Sequence, residues 1–222
     1  MAYTIFMTIS YQANTEEREQ IFKLRYKVYI EELGKNHIDN DNLNKIIVDE
    51  YDEGGEYFFA KNEGLVYGSL RVILFKEDFL KKLCESYKLP TGFVNEIDIK
   101  SLAFVDRFVI EKEFRKGILG FKIMRELYIY SMNHGICQSF ITSEKALLHN
   151  YYQFGYRVYD HFYTSSNEKR YLMVFFQRDF NYLLSINSPF TRCFNDISLS
   201  DEYNSIKVAS KYFKTLDESE VD

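Results

Sequence analysis

Three arginines interrupt apolar segments of this chain, and their surroundings point to a polar network inside the fold. Arg25 lies within a helical spacing that also includes Ile21 and Val28, which places the three on one helix face. Arg71 and Arg107 each stand inside a run of apolar residues typical of a buried strand. Because a guanidinium keeps its proton, burying it without an anionic partner is very costly. The pattern therefore predicts that each arginine has a carboxylate partner.

The candidate partners are the acids in the segment Val48–Asp52, above all Asp49 and Asp52. Buried networks of arginine and carboxylate side chains often mark a binding or catalytic site. They also occur as purely structural clusters. For any single residue the two interpretations have equal weight at this stage.

A second candidate site follows the strand that contains Arg107. Here a strand ends, a basic turn follows and a helix begins, an arrangement that turns backbone N–H groups and the positive end of the helix dipole towards a phosphate. We expect Gly117 and Gly120 to let a ligand approach the backbone, and Arg115 and Lys116 to add positive charge. A simple helix-opening turn is the alternative interpretation.

Apolar periodicity and turn residues indicate the elements that position these residues. Asn14 with Glu17 resembles a capping box that opens a first helix, which ends before Gly34. The segment Lys35–Val48 is polar and is predicted to be a loop. Strands are predicted at 3–11, 56–61, 65–74, 98–110, 137–142, 156–162 and 170–177, and helices at 14–33, 76–87, 120–134, 144–152 and 200–216.

Composition narrows the functional classes. The chain has 222 residues, of which 46% are hydrophobic, enough for a substantial core. Its net charge of −5 argues against nucleic acid as a partner. Cys84, Cys137 and Cys193 are too far apart to suggest a disulfide framework or a zinc site, so no metal is expected. Without a signal-peptide pattern or a long apolar run, we expect a cytoplasmic protein with a domain at 1–180 and an extension at 181–222.

Two segments resemble the GNAT acyltransferase superfamily. The basic turn resembles its acyl-CoA signature R-x-x-G-x-G/A, with Arg115 first, Gly120 last, and Ile118 at the position of the middle glycine. The segment Asn150–Tyr156 resembles the Y-x-x-x-G-F block, in which Tyr151 is the matching tyrosine. The resemblance implies that Tyr151 protonates the leaving thiolate, whereas an aromatic core contact is the alternative.

Four further blocks resemble acyl-homoserine-lactone synthases and long-chain N-acyl amino acid synthases. Segment 24–34 is similar to their R-x-x-V-F block, 49–52 to D-x-x-D, 68–71 to G-x-x-R, and 106–108 to S-R-F with Asp106 in place of serine. The blocks occur in the family's order over roughly Arg18–Gln177. The resemblance implies a GNAT fold of the α/β (α+β) class, with a mixed central sheet of six to seven strands flanked by helices.

The implied activity is transfer of a fatty acyl group from a thioester to an amine. Asp49, Asp52 and Glu96 are the candidate bases, although Asp52 is better suited to fixing arginines. Arg25, Arg71 or Arg107 is expected to bind the carboxylate of an amino acid acceptor. The backbone from Val105 to Phe108 is expected to polarise the thioester carbonyl.

The acceptor and the donor stay open. The chain has no tryptophan, unlike most homoserine-lactone synthases, which favours an amino acid or another amine over S-adenosylmethionine. Ornithine-lipid acyltransferases carry similar blocks. A homoserine-lactone synthase and a GNAT-like binding protein without catalysis are the alternatives.

The donor is expected to be acyl-CoA or an acyl carrier protein, and the acyl product to make peripheral membrane contact. An acidic carrier protein would dock on a basic face formed by Lys112, Arg115, Lys116, Lys122 and Arg125.

Overall fold

The computed structural model describes residues 7–35, 39–87, 96, 98–164 and 167–196. Seven strands form one mixed sheet in the order β1-β4-β5-β6-β7-β9-β8, and β2 and β3 form a second, two-stranded sheet. The strands are β1 (Thr8–Tyr11), β2 (Asn40–Asp41), β3 (Ile46–Ile47), β4 (Glu56–Asn62), β5 (Leu65–Leu74), β6 (Leu102–Ile110), β7 (Gln138–Ser143), β8 (Arg157–Tyr163) and β9 (Lys169–Phe176). The helices are α1 (Thr15–Tyr26), α2 (Glu77–Tyr87), α3 (Leu119–Asn133), α4 (Leu148–Phe154) and α5 (Phe180–Ser185). The predicted fold class is confirmed.

The pairing is antiparallel from β1 through β4 to β5, and again among β7, β9 and β8. The parallel pair joins β6 to β7 through three residue pairs, from Leu102 with Gln138 to Phe104 with Phe140. A parallel pair needs a crossover connection, and the chain between these two strands contains α3.

Contacts divide the chain into two compact units, each described by itself. The first comprises Met1–Ile73 and Val105–Leu127, and the second Leu74–Phe104 and Tyr128–Asp222. In the first unit, one face of α1 and the residue Val28 after it pack against β4, β5 and β6. The core residues of this contact are Ile21, Leu24, Val28, Tyr57, Phe59, Val66 and Val109.

The first helix begins as predicted and ends differently. Asn14 Oδ1 accepts a hydrogen bond from Glu17 N, and Asn14 N donates to Glu17 Oε2, both at 2.9 Å, which confirms the capping box. After Tyr26 the chain continues as a six-residue π-helix, Lys27–Glu32, where Leu33 N donates to Val28 O at 3.1 Å. Such π-helical turns are rare and frequently occur at functional sites.

The second unit has an aromatic core that includes residues beyond 180. Phe190 stacks on Tyr128 with ring centroids 4.5 Å apart, and its ring lies 5.5 Å from that of Phe175. Residues Pro189–Asp196 form 3-10 turns after α5. Neither element was predicted, and the domain boundary at 180 stays a prediction.

Other differences from the sequence predictions are local. The predicted loop 35–48 contains the β2–β3 ladder, in which Asn40 pairs with Ile47. The strand predicted from Asp98 begins at Leu102, because the Asp98 side chain accepts from Lys100 N at 3.0 Å and caps a 3-10 turn. The predicted helix 144–152 begins as a 3-10 turn and ends at Phe154.

Two predictions lie partly or wholly outside the described residues. They are the start of the first strand, 3–6, and the helix at 200–216. Within the described part, every helix is too short or too polar to cross a membrane.

Candidate active site

The innermost part of the site is an ion pair between α1 and the segment before β4. Arg25 is 0% exposed and Asp52 is 2% exposed. Arg25 Nη1 donates to both carboxylate oxygens of Asp52, at 2.8 and 2.9 Å. Tyr57 Oη donates to the same carboxylate at 2.8 Å. The guanidinium also lies over the rings of Phe22 and Tyr57, which cover its apolar faces.

Arg71, on β5, is the centre of the network. Its Nη1 lies 2.5 Å from Asp49 Oδ1 and 2.7 Å from Asp52 Oδ1. Its Nε and Nη2 donate to the two oxygens of Asp106, at 2.9 and 2.7 Å, in the forked geometry that arginine favours. One buried guanidinium thus holds three carboxylates from two segments of the first unit.

Arg107, on β6, forms the outer part. Its Nη2 donates to Asp49 Oδ2 at 2.6 Å and lies 3.3 Å from Asp39 Oδ2. Side-chain exposure rises from 13% at Arg107 to 23% at Asp106 and 32% at Asp39. The network therefore runs from a dry interior at Arg25 to solvent at Asp39.

The backbone of β6 is irregular at the same place. Arg107 has φ of +53°, in the left-handed region that side-chain-bearing residues seldom adopt. Such residues in strands bend the chain and redirect neighbouring groups, and they cluster at functional sites.

The pKa values of the aspartates follow from this pairing. Burial by itself would raise the pKa of Asp49, but the bonds and charges of Arg71 and Arg107 outweigh it and hold the pKa well below its usual range. At Asp52, burial is likewise outweighed by Arg25 and Arg71, and the pKa is lowered. Both groups stay ionised and accept protons poorly, so neither is suited to be a base.

Tyr29 belongs to the same surroundings. It stands on the π-helix, where burial raises the pKa of its phenol against the opposing effect of the Arg107 and Arg25 charges. The tyrosine thus stays a neutral hydroxyl close to the outer arginine.

The predicted phosphate turn lies between β6 and α3. Arg115 Nε donates to Ile110 O at 2.8 Å, and Nη2 forms an ion pair with Glu32. Lys116 and Ile118 are exposed. A Cβ on Gly117 would meet only the Phe114 carbonyl oxygen at 3.5 Å, so this position has room for a ligand or a methyl group.

Gly120 has a different role from Gly117. A Cβ there would lie 3.1 Å from Ile110 Cδ1 and 3.5 Å from Phe108 Cζ. This glycine therefore serves the close packing of α3 on β6. The expectation that both glycines free the backbone for a ligand fits Gly117 better.

The remaining predicted site residues lie elsewhere. Val105 is buried on β6, in the first unit with the arginine network. Glu96 is exposed and belongs to the second unit. Tyr151, on α4 in the second unit, packs edge-on against Tyr156 with ring centroids 5.8 Å apart. The catalytic roles of Glu96 and Tyr151 stay predictions.

The structure thus brings together Arg25, Asp49, Asp52, Arg71 and Arg107. Sequence reasoning did not identify Asp39, Tyr29 or the ion-pairing role of Asp106. Asp106 carried a usable signal, since it interrupts the same apolar run as Arg107. Asp39 lies in a polar segment, where nothing distinguishes it from its neighbours.

Comparison with known proteins gives a match at the level of fold. No family model and no curated protein matches the chain. Among solved structures, the CoA-dependent acyl-homoserine lactone synthase BjaI, solved with SAM and isopentyl-CoA, superposes with a TM-score of 0.62 at 18% identity, covering 83% of this chain and 91% of that one. FeeM, an N-acyl amino acid synthase from uncultured soil microbes, gives 0.61 at 13% identity, covering 79% and 94%. The AHL synthase LasI gives 0.56 at 16%, covering 76% and 89%.

These matches confirm the fold that the motifs predicted. The chain has the GNAT-like acyltransferase fold shared by these synthases. At such identities the similarity shows the fold alone. It does not identify the acceptor or the acyl donor of this chain.

Proposed function

We propose that this chain is an N-acyltransferase that moves a long fatty acyl group from a thioester to the amine of an amino acid or a related small molecule. The observation that best supports the proposal is the arginine–aspartate network of the first unit. It joins the four blocks that resemble the synthases, and its outer members reach solvent.

The acceptor must lose a proton before or during attack. A free amine is mostly protonated at about pH 7, and Asp49 and Asp52 are too acidic to take its proton. We assign these two aspartates to fixing the arginines, and proton removal to a relay water beside Glu96. Arg107, the most exposed of the three arginines, is the one we assign to the acceptor carboxylate.

In the proposed reaction an amide forms and a thiol is released. The amine nitrogen attacks the thioester carbonyl carbon, a C–N bond forms and the C–S bond breaks. Backbone N–H groups from Val105 to Phe108 stabilise the carbonyl oxygen while it carries charge. The amine proton leaves through the relay water, and Tyr151 protonates the departing thiolate.

The donor site is assigned to Arg115, Lys116, Gly117, Ile118 and Gly120, which would hold a pantetheine phosphate of CoA or of an acyl carrier protein. Arg115 and Arg125 already pair with Glu32 and Glu126. Docking of an acidic carrier protein therefore depends mainly on Lys112, Lys116 and Lys122. We place the reaction in the cytoplasm, with the acyl product making peripheral membrane contact.

The test is mass spectrometry of lipid extracts from cells that express the chain, compared with Arg107→Ala and Arg71→Ala. A new N-acyl product in the wild type identifies both the acyl chain and the acceptor, and both variants should lose it. Arg170→Ala is the matched control, because Arg170 is also a partly buried, doubly ion-paired arginine, in the second unit. Wild-type product levels from a folded Arg71→Ala or Arg107→Ala protein would refute the assigned site.

An acyl-homoserine-lactone synthase is the second candidate. It is supported by the four sequence blocks, which resemble those of acyl-homoserine-lactone synthases as well as those of N-acyl amino acid synthases. A lactone product that depends on S-adenosylmethionine would establish it. A third candidate, a binding protein without catalysis, is favoured by Ile118 at the position of the middle glycine. Absence of any acyl-thioester binding by calorimetry would remove the donor site and with it both enzymatic candidates.

A further inference from the structure

The π-helix is tied to its surroundings by charged side chains. Lys27 Nζ lies 2.7 Å from Glu111 Oε2, and Glu31 Oε1 lies 2.9 Å from Lys45 Nζ. Glu32 pairs with Arg115. Two of these three ion pairs thus join the π-helix to the turn at which we place the donor phosphate.

The ion pair between Glu32 and Arg115 is more constrained than the neighbouring ion pair between Glu31 and Lys45. Arg115 is held at Nε by the Ile110 carbonyl and at Nη2 by the Glu32 carboxylate. The side chain of Glu32 is 17% exposed, against 44% for Glu31. The two contacts fix the orientation of the planar Arg115 guanidinium, and its remaining N–H groups can still donate to a phosphate.

We propose that Glu32 is a positioning residue for Arg115 that makes the donor site favour a pantetheine group with a single phosphate over CoA. This inference rests on the proposed donor site. The carboxylate orients the guanidinium and at the same time offsets its positive charge. A ligand that brings several phosphates meets this extra negative charge more strongly than a ligand that brings one.

The charge and the orientation can be separated by two substitutions. Glu32→Gln removes the negative charge but keeps an oxygen that can accept from Arg115. Glu32→Ala removes both. Glu31→Gln is the matched control, since it deletes the same charge one residue away, in a pair with Lys45 rather than Arg115.

The experiment is calorimetric titration of CoA and of 4′-phosphopantetheine into the four folded proteins. We expect Glu32→Gln to bind CoA on the order of tenfold more tightly than the wild type, with a smaller gain for 4′-phosphopantetheine. Glu32→Ala should gain less than Glu32→Gln because its arginine is no longer oriented. Glu31→Gln should match the wild type, and added salt should reduce the differences.

The possible failures are distinguishable. Equal gains in Glu31→Gln and Glu32→Gln would mean that net charge alone acts, and unchanged or weaker CoA binding in Glu32→Gln would mean that Glu32 does not oppose the donor. Either result would refute the inference about Glu32 without refuting the proposed acyltransferase function. If neither ligand binds any of the four proteins, the donor site is wrong, and the inference fails together with the proposed function.

Discussion

Asp52 is the residue on which the buried half of the network depends. It is the carboxylate partner of Arg25, which is 0% exposed, and it also lies 2.7 Å from Arg71 Nη1. Replacing it with asparagine keeps the shape and removes the charge that offsets Arg25. Breaking a buried pair in this way typically costs about 3–5 kcal/mol, because one charge stays buried without a counter-charge. We therefore expect Asp52→Asn to lower the free energy of unfolding by about that amount, measured by urea denaturation.

The control for Asp52→Asn is a surface pair in the same unit. Glu31 and Lys45 have side chains 44% and 66% exposed. Glu31→Gln should change the free energy of unfolding by less than about 1 kcal/mol, as exposed ion pairs do. A loss in Asp52→Asn no larger than the loss in this control would show that Arg25 finds compensation elsewhere.

For individual residues, the sequence predicted which side chains belong to the network better than it predicted which arginine pairs with which aspartate. Arg25, Arg71 and Arg107 stood out because each interrupts an apolar pattern, and Asp49 and Asp52 stood out as acids of the short segment Val48–Asp52 between Arg25 and Arg71. The pairs themselves depend on which side chains meet in space. That Arg71 holds three carboxylates follows from the register between β4 and β5 and from the course of β6, which no local pattern specifies.

The turn before β4 controls the position of Arg71 through a glycine. A Cβ on Gly55 would lie 2.8 Å from Arg71 Cδ and 3.0 Å from the Tyr51 carbonyl oxygen. Arg71 fills the space that this glycine leaves. We expect Gly55→Ala to displace the guanidinium, to destabilise the fold by about 1–3 kcal/mol and to lower acyl transfer.

Gly54 provides the matched control for that substitution. A Cβ added there meets nothing within 4 Å, and its φ lies outside the left-handed region. Gly54→Ala should be neutral or stabilising by up to about 1 kcal/mol, because it restricts the unfolded chain. The test compares the unfolding midpoints and the turnover rates of Gly55→Ala and Gly54→Ala. If Gly55→Ala behaves like Gly54→Ala, the glycine does not position Arg71.

The elements with strong local signals were predicted to within a few residues. The capping box predicted the start of α1, and the turn that ends at Gly64 between two strand-like segments predicted the β4–β5 hairpin. The π-helix was missed, because the residues of Lys27–Glu32 are compatible with an ordinary helix. The left-handed φ of Arg107 was missed for a related reason, since arginine is not a residue that marks such a conformation.

For the molecule as a whole, the resemblance to GNAT acyltransferases predicted the mixed sheet of six to seven strands, and the seven-stranded sheet confirms it. What the resemblance did not predict was the charge balance of the site. Three arginines and four aspartates share the network, so the arginines are largely neutralised before any ligand binds. An acceptor carboxylate at Arg107 must therefore compete with Asp49 and Asp39.

The same network should set how the stability of the protein depends on pH. The pKa values of Asp49 and Asp52 are lower in the folded chain than their usual value of about 3.9. At a pH between the folded and the unfolded pKa, the unfolded chain therefore binds more protons than the folded chain. The stability from these groups is fully present above the unfolded pKa and is lost as pH falls through the folded pKa. We expect the free energy of unfolding to hold from about pH 7 to about pH 5 and to fall steeply below about pH 4.

Asp52→Asn tests the source of that fall, because it removes one of the two titrating groups and leaves the geometry of the segment. Its free energy of unfolding, lower at about pH 7, should decline less steeply below about pH 4 than that of the wild type, so that the two curves converge in acid. Urea unfolding at a series of pH values measures both slopes. Glu17→Gln controls for paired carboxylates outside the network, because burial would raise the pKa of Glu17 but Lys61 and Asn14 outweigh it and lower that pKa too. If parallel curves were found for wild type and Asp52→Asn, the acid sensitivity would originate outside the arginine–aspartate network.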